Sequence, residues 1–584
     1  MSAAFSRRPA ASNAAAHLSA AAGALAGTAG SLQFLFSNAR PFKLVLPALI
    51  PLTRLEIVVD GLAVVFILVI SLVALAASIY ALGYTREYYG KKNLGFLGAM
   101  YNLFLLSMTL VVTAGNALLF LMLWELMTLV SYLLVVFDHQ NPNVRRAGFV
   151  YIVMTHVGTA FILLAFLIFF RYTGSFNFVD FAKAANRIPA LMRDLAFIFA
   201  LIGFGTKAGI VPLHIWLPLA HPAAPSHVSA LMSGVMIKTA VYALMRLLLD
   251  ILGTGPLWWG LLILLIGATS ALLGILYALM QNNLKQLLAF SSVENVGIIF
   301  LGLGVAVASI SFGRPELAAL GTVAALYHLL NHGIFKSLLF LSSGAVLQAT
   351  HTKDMEKLGG LLKKMPWTGF FFLVGAVAIS ALPPLNGLIS EWLTFQSLLQ
   401  LGFHTPAGLV RILAPVGGAA LALTGALAAA GFVKAFGITF LAQPRSPRVL
   451  QAREAAMSMR LGMWLLALAA LLLGVFPALA IRLLDPAVVV LTGRTLAERA
   501  SSWGWLTLAP LDFGFASFSP FIIALLLVGL APLPFLLAWL AGGRARRRVG
   551  ETWNCGVTLE PVMEYTGASF SKPFRIIFRK VFRP

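Results

Sequence analysis

The chain has 584 residues, 60% hydrophobic and only 11% charged, whereas a soluble protein needs about a quarter charged residues to clothe its surface. Apolar runs of about 18 residues or more recur from Asp60 to near the C-terminus, so the fold class expected is all-α and polytopic, within a lipid bilayer. The 42 Lys and Arg outnumber the 20 Asp and Glu, but they gather in short connections and the tail, which excludes a nucleic-acid partner in favour of a cytoplasmic face and anionic lipid.

At the N-terminus, Arg7 and Arg8 precede an Ala/Gly-rich stretch, His17–Gly30, readable as a signal sequence or as a weak first helix. Its apolar core lacks the Leu and Phe density of a secretory signal, which favours a protein-facing helix. About 14 membrane helices are expected, with spans near 13–36 (the weak one), 60–83, 94–114, 117–137, 148–170, 194–211, 226–250, 257–281, 284–308, 320–347, 367–382, 389–402, 410–441, 462–484 and 518–541. Basic pairs and clusters (Lys91, Lys92; Arg145, Arg146; Lys353, Lys357, Lys363, Lys364) punctuate these spans. The single cysteine, Cys555, excludes an intrachain disulfide and a Cys-based zinc or iron–sulfur site.

Two segments break the run of clean helices. VPLHIWLPLAHPAAPSH (Val211–His227) carries four prolines, and SALPPLNGLISEW (Ser380–Trp392) carries a Pro-Pro pair. Proline removes a backbone donor, and such breaks survive in a bilayer only where protein or a water-lined cavity satisfies the freed groups. One break in each half of the chain points to two inverted repeats with an ion site at the bilayer midplane.

Glu125, Lys238, Lys285 and Lys336 interrupt apolar runs, although a charge at the bilayer centre costs about 2.5–3.5 kcal/mol on insertion scales. Glu125 and Lys238 are the natural acid–base pair of the first half, because a buried ammonium holds or releases its proton according to a nearby carboxylate. Lys285 sits at the start of its apolar run and either snorkels or takes part in the pathway. Glu294, nine residues further on, falls on roughly the opposite helix face and cannot pair with it within the helix. His328, His332 and Lys336 recur every four residues, offset by about 40°, and line one stripe suited to a proton relay. A zinc site is disfavoured, because Lys336 would repel the metal; hydrogen bonding between helices remains the structural alternative. Lys207 and Lys434 also lie in apolar context. No phosphate loop, nucleophile elbow or haem motif is present, so neither redox chemistry nor hydrolysis is expected of this chain itself.

WELMTLVSYLLV (Trp124–Val135), FGTKAGIVPLHIWLPLAHPAAPSHVSALMSGVMIKTAVYALMR (Phe204–Arg246), LKQLLAFSSVENVGII (Leu284–Ile299), LYHLLNHGIFKSLLFLSSG (Leu326–Gly344) and LPPLNGLISEWLTFQ (Leu382–Gln396) resemble the antiporter-like subunits. That family comprises the proton-translocating membrane subunits of respiratory complex I, membrane-bound hydrogenases and multisubunit sodium/proton antiporters. SSVENVG, LNGLISEW, GFVKAFGITF and the tail WNCG are most similar to its hydrogenase-4 and formate hydrogenlyase branch. The family usually begins with two strongly apolar helices ahead of the region of Asp60–Gly83, where this sequence offers only the weak Ala/Gly stretch.

The resemblance implies an N-terminal segment (1–54), an antiporter-like core (55–445), C-terminal transmembrane helices (446–543) and a basic cytoplasmic tail (544–584). It implies a proton path through Glu125, Lys238, Lys285, His328, His332 and Glu391, beside Lys207, Lys336 and Lys434 from the apolar context. It also implies a non-catalytic proton-pumping subunit of a complex I-like oxidoreductase, in a bacterial or archaeal cytoplasmic (inner) membrane. Other membrane subunits and a peripheral redox module are the partners expected. No cofactor is expected in this chain; iron–sulfur clusters and nickel–iron are expected in partner subunits. The alternative is a subunit of a multisubunit cation/proton antiporter. A non-pumping anchor is disfavoured, since it has no reason to bear the insertion cost of the charges.

Overall fold

The computed structural model describes residues 8–37, 39–45, 55–405, 407–441, 443–496, 519–541, 555–557 and 560–579. The Ala/Gly-rich segment forms α1 (Pro9–Ser37), held to the bundle by polar and small side chains in its first turns and by Leu32, Phe34 and Leu35 near its end. Asn13 donates to the Leu82 carbonyl (3.1 Å) and accepts from Thr85 (2.7 Å), while His17 is buried among α1's inward residues. A short antiparallel pair, β1 (Phe42–Val45) and β2 (Glu56–Val59), follows, with Phe42 opposite Val59.

The helices then succeed one another: α2 (Gly61–Tyr84), α3 (Leu94–Val111), α4 (Ala117–Val135), α5 (Pro142–Thr173), the short α6 (Phe178–Ala184) and α7 (Ala190–Ala208). Asp60 caps α2 through the Ala63 amide (2.9 Å). The same carboxylate takes both guanidinium arms of Arg246, at 2.7 and 2.8 Å, the planar two-point match that arginine makes best. Asn93, Asn116 and Asn141 cap α3, α4 and α5, each accepting from the first turn of its helix.

After α7 come α8 (Leu217–Ala223), α9 (Ser226–Ile251), α10 (Leu257–Met280), α11 (Leu284–Ser311), α12 (Pro315–Thr350), α13 (Pro366–Ile379), α14 (Asn386–His404) and α15 (Gly408–Leu441). The chain continues through α16 (Met457–Val475), α17 (Pro477–Thr492), α18 (Pro520–Leu540) and the tail helix α19 (Gly567–Ile577). Among the described residues twelve helices are long and apolar enough to span a membrane; with the two interrupted crossings α7–α8 and α13–α14 they make the expected 14.

α9, α11 and α12 are buried over almost their whole length and form the centre. α10 packs on α11 through facing glycines: a Cβ on Gly267 would stand 2.8 Å from the Leu301 amide nitrogen, and one on Gly297 would stand 2.4 Å from that of Ala271. Such small-residue seams let helix backbones approach in a membrane.

The order α4, α5, interrupted α7–α8, α9 is matched by α11, α12, interrupted α13–α14, α15. α4 ends at the face where α5 begins with Arg145 and Arg146 near its start, whereas α11 begins beside the basic loop of Lys353, whose carbonyl accepts from the Leu284 amide (2.8 Å). The two units thus start from opposite faces, as inverted repeats must.

Three spans differ from the sequence reading. The single span expected at 462–484 is two helices, because Phe476 (φ −118°, ψ 60°) leaves helical geometry and Pro477 cannot donate to the turn before it. The break near Glu391 is confined to 380–385, so the helix expected at 389–402 starts earlier, at Asn386, with Glu391 inside it. α9 carries two π turns, Met232–Met236 and Arg246–Ile251, that no sequence period announced. Of the tail motif WNCG, Trp553 and Asn554 lie outside the described residues.

Candidate functional site

In the first repeat, Lys207 occupies the C-terminal end of α7, where the helix dipole favours a cation. Its ammonium donates to Thr128 Oγ1 (3.0 Å) and Tyr151 OH (2.9 Å), and it lies over the rings of Trp124 and Tyr151 at 5.8 and 5.1 Å. Thr128 and Trp124 bracket Glu125 on α4, so Glu125 is the carboxylate within Coulombic reach of Lys207. Tyr151 passes the network on to Ser131 (2.6 Å).

The expected pairing of Glu125 with Lys238 is not found. Glu125 Oε2 stands 3.3 Å from His156 Nε2 on α5, with both side chains part-exposed at the rim of the bundle. Lys238 is carried inward by the π turn at Met232–Met236 and donates to the Ser233 carbonyl. A π turn re-aims side chains by the extra residue it inserts, and such turns recur at functional sites. Ser233 Oγ meets Ser292 Oγ on α11 at 2.8 Å, which joins the two repeats.

In the second repeat, Lys336 donates to Ser291 Oγ (2.6 Å) and the Leu288 carbonyl (3.2 Å). His328 bonds Ser390 through Nδ1 (3.0 Å) and Asn295 through Nε2 (3.2 Å). The rings of His328 and His332 lie 6.5 Å apart and nearly parallel, as the four-residue spacing requires. His332 is within electrostatic reach of Lys238, Lys336, His328 and His221. Neither ring nitrogen of His332 has a protein partner among the described residues, and the same is true of His221 and His227. Glu391 is buried on α14 beside Gly425 of α15.

Lys285 does not snorkel: it is 1% exposed and donates to the Ala224 carbonyl (2.9 Å) at the end of the first break. Lys434 stands apart from the central series. Its ammonium donates to the Leu279 and Gln281 carbonyls and to Ser571 Oγ, each at 2.8 Å, so it caps α10 and fastens the tail helix. Lys434→Met removes charge-assisted bonds worth about 1.5 kcal/mol or more, so α19 is expected to be cleaved roughly tenfold faster in limited proteolysis.

Several groups here escaped the sequence reading. Glu294, considered only as a partner for Lys285, is buried, its Oε2 has no hydrogen-bond partner among the described residues, and it faces Lys336 and Glu391. His221 and His227 were passed over as parts of a proline-rich break, and His156 as one polar residue in a long apolar helix. A titratable side chain inside a membrane span was the available signal for Glu294 and His156.

Residues 114–414 match the family described as NADH:quinone oxidoreductase/Mrp antiporter, TM. The chain is 43% identical over 529 residues to Hydrogenase-4 component B of Escherichia coli (strain K12), covering 90% of this chain and 77% of that protein. Formate hydrogenlyase subunit 3 of the same organism is 33% identical over 571 residues, covering 97% and 88%. In fold, the chain superposes on one from the membrane-bound sulfane sulfur reductase, an archaeal respiratory membrane complex, with a TM-score of 0.80 at 24% identity, over 98% of this chain and 90% of that one. Matched through both its repeats and nearly end to end, the chain belongs to the NADH:quinone oxidoreductase/Mrp antiporter transmembrane family.

Proposed function

We propose that the chain is the proton-translocating membrane subunit of a complex I-like oxidoreductase, of the membrane-bound hydrogenase or formate hydrogenlyase kind. The observation that carries this reading is the series of buried ionisable groups running across both repeats: Lys207, Lys238, His332, Lys336, Glu294 and Glu391. Each lies on a helix of the core, and successive members face one another electrostatically at several points. Histidines without protein partners need water, since a buried polar group left unbonded costs about 1–3 kcal/mol. Water between such groups supplies the relay that side chains alone are too far apart to make.

Lys207 with Glu125 is the switchable pair of the first repeat; Lys238 is its central carrier. Lys285 connects to the cytoplasmic face, His328, His332 and Lys336 carry the middle, and Glu391 with Glu294 ends the second repeat. Lys434 borders this path at the α10 end. Moving one proton against 100 mV takes about 2.3 kcal/mol, which this chain has no chemistry of its own to supply. The driving reaction belongs to a peripheral redox module with iron–sulfur and nickel–iron centres, attached through further membrane subunits in a cytoplasmic (inner) membrane.

A gentle-detergent pull-down of the tagged chain tests the assignment. Nickel–iron hydrogenase or iron–sulfur subunits among the co-purifying proteins are the expected result. Small antiporter subunits with no redox protein would replace it by the gradient-driven cation/proton antiporter.

A further inference from the structure

On the basic face a cavity of about 230 Å³ opens between the end of α2, the α4–α5 connection, the end of α8, the start of α11 and the loop after α12. Lys92 and Asp138, paired at 2.7 Å, stand among its walls; Tyr84, Tyr88, Lys353 and the otherwise buried Lys285 complete the lining that matters. Here Lys285, a member of the proposed path, meets a cavity on the basic face.

The two inner lysines share one target. Lys353 Nζ donates to the Pro222 carbonyl (3.1 Å) and Lys285 Nζ to the Ala224 carbonyl (2.9 Å), two residues apart at the C-terminal end of α8. Those carbonyls lie at the electronegative end of a helix, where cations are favoured, and the Ala224 carbonyl also accepts from Ser229 Oγ (3.2 Å). The lysines are also fixed by one backbone patch. The Lys353 carbonyl accepts from the Leu284 amide (2.8 Å), the residue before Lys285, and the Met355 amide donates to the Asn282 carbonyl (2.9 Å). Moving Lys353 therefore moves the start of α11, and with it Lys285.

We infer that this cavity is the inlet through which water on the cytoplasmic side delivers protons to Lys285, and that Lys353 is a further residue of the path, controlling when Lys285 holds its proton. The inference rests on the proton-translocation reading. The transfer is of a proton alone: it leaves cytoplasmic water, adds to the Lys285 amine and later departs inward, with no change of oxidation state. Lys353 is the positive charge that faces Lys285 most directly, and like charge disfavours protonation of its neighbour. The other charged or titratable groups in the cavity are Lys92, Asp138, Tyr84 and Tyr88, of which the first two neutralise each other at the wall; behind it, His221 of α8 and His227 of α9 also face Lys285. Burial draws Lys353 itself below the usual lysine range, so its charge is more easily lost than that of an exposed lysine.

The test measures proton uptake against pH by the whole complex in vesicles, for Lys353→Gln, Lys353→Arg and Lys285→Ala. Removing the facing charge lets Lys285 keep its proton to higher pH, so Lys353→Gln should shift the alkaline limb upward by roughly 0.5–1 pH unit. Lys353→Arg, permanently charged, should not make that shift. Lys285→Ala should abolish uptake. An unshifted Lys353→Gln profile with Lys285→Ala inactive overturns the inference and leaves the translocation reading standing. Normal uptake in both takes Lys285 and Lys353 off the path and overturns the inference, whereas absence of uptake by the unmodified complex would overturn the translocation reading itself. A rate loss in Lys353→Gln without a pH shift reduces Lys353 to a structural strut and also overturns the inference. Independently, Ala223→Cys in a Cys555→Ser background should react with an impermeant thiol reagent applied from the basic face; protection would show that the cavity is no inlet.

Discussion

Lys238→Ala is expected to lower coupled proton transport by roughly 100-fold or more, the scale on which positioned acid–base groups act, while the complex still assembles. The two halves of that outcome have separate causes. Transport falls because Lys238 stands between the repeats: its ammonium lies on the π turn of α9, next to the Ser233–Ser292 contact with α11, and within reach of His332. Without it, the proposed relay loses its titratable group between the Lys207 end and the His328–Lys336 end. Assembly survives because two opposing terms meet at the site. Shortening a buried side chain leaves a cavity, which destabilises, yet it also removes an ammonium whose burial costs several kcal/mol after relaxation. Among the described residues the acceptor Lys238 leaves behind is the Ser233 backbone carbonyl, which a water entering the vacated space can satisfy. Proton uptake by vesicles, normalised to co-purified partner subunits, checks both halves at once. Wild-type uptake by an assembled Lys238→Ala complex would remove Lys238 from the path.

Gly387→Val is expected to disable both assembly and transport. A Cβ at Gly387 would lie 1.8 Å from the Ala378 carbonyl oxygen, the tightest approach of any glycine here, and the obstacle is backbone at the end of α13. No flexible side chain can yield, so α14 must separate from α13. Overpacking alone costs about 1–3 kcal/mol, and backbone displacement adds to that. The damage reaches the path directly. Asn331 donates to the Asn386 carbonyl (2.7 Å), and Ser390, which holds His328, donates to the Gly387 carbonyl (3.1 Å). Shifting residue 387 thus releases His328 from its orienting partner. Gly408→Val, where a Cβ meets no atom within 4 Å, is the matched control and should assemble normally. Size-exclusion profile and thermal melting of the detergent-solubilised complex report the difference; equal behaviour of the two variants would mean that the break tolerates opening.

The bundle was readable because bilayers impose simple rules. Every crossing needs a run of apolar residues, and such runs can be counted whatever they pack against. Both breaks were readable for a related reason: the prolines of Val211–His227 and Ser380–Trp392 remove backbone donors wherever they stand. The four-residue spacing of His328, His332 and Lys336 likewise fixes a stripe on one helix without reference to neighbours, and the rings do lie nearly parallel.

Partnerships between helices were another matter. Glu125 and Lys238 looked like a pair because they are the opposite charges of one repeat, yet rotation of α4 and the extra residue in the π turn of α9 send them apart. Lys207 fills the place instead, reached from α7 through contacts with Trp124 and Thr128. Lys434 looked like a carrier because it lies well inside its helix, and three acceptors from α10 and the tail helix hold it there. Lys285 was ambiguous until the end of α8 proved to be its acceptor.

By itself, then, the sequence determined what is local or periodic: a polytopic helical chain, its basic face, its two interrupted crossings and the ionisable residues kept inside the membrane. Tertiary structure decided which of those residues meet. That depends on helix rotation, on π turns and on glycine seams such as Gly267 against α11, all set by packing between residues far apart in the chain. A hydrogen bond forms only within about 3 Å, so a small rotation of a helix chooses the partner, and no spacing along a single helix records that choice.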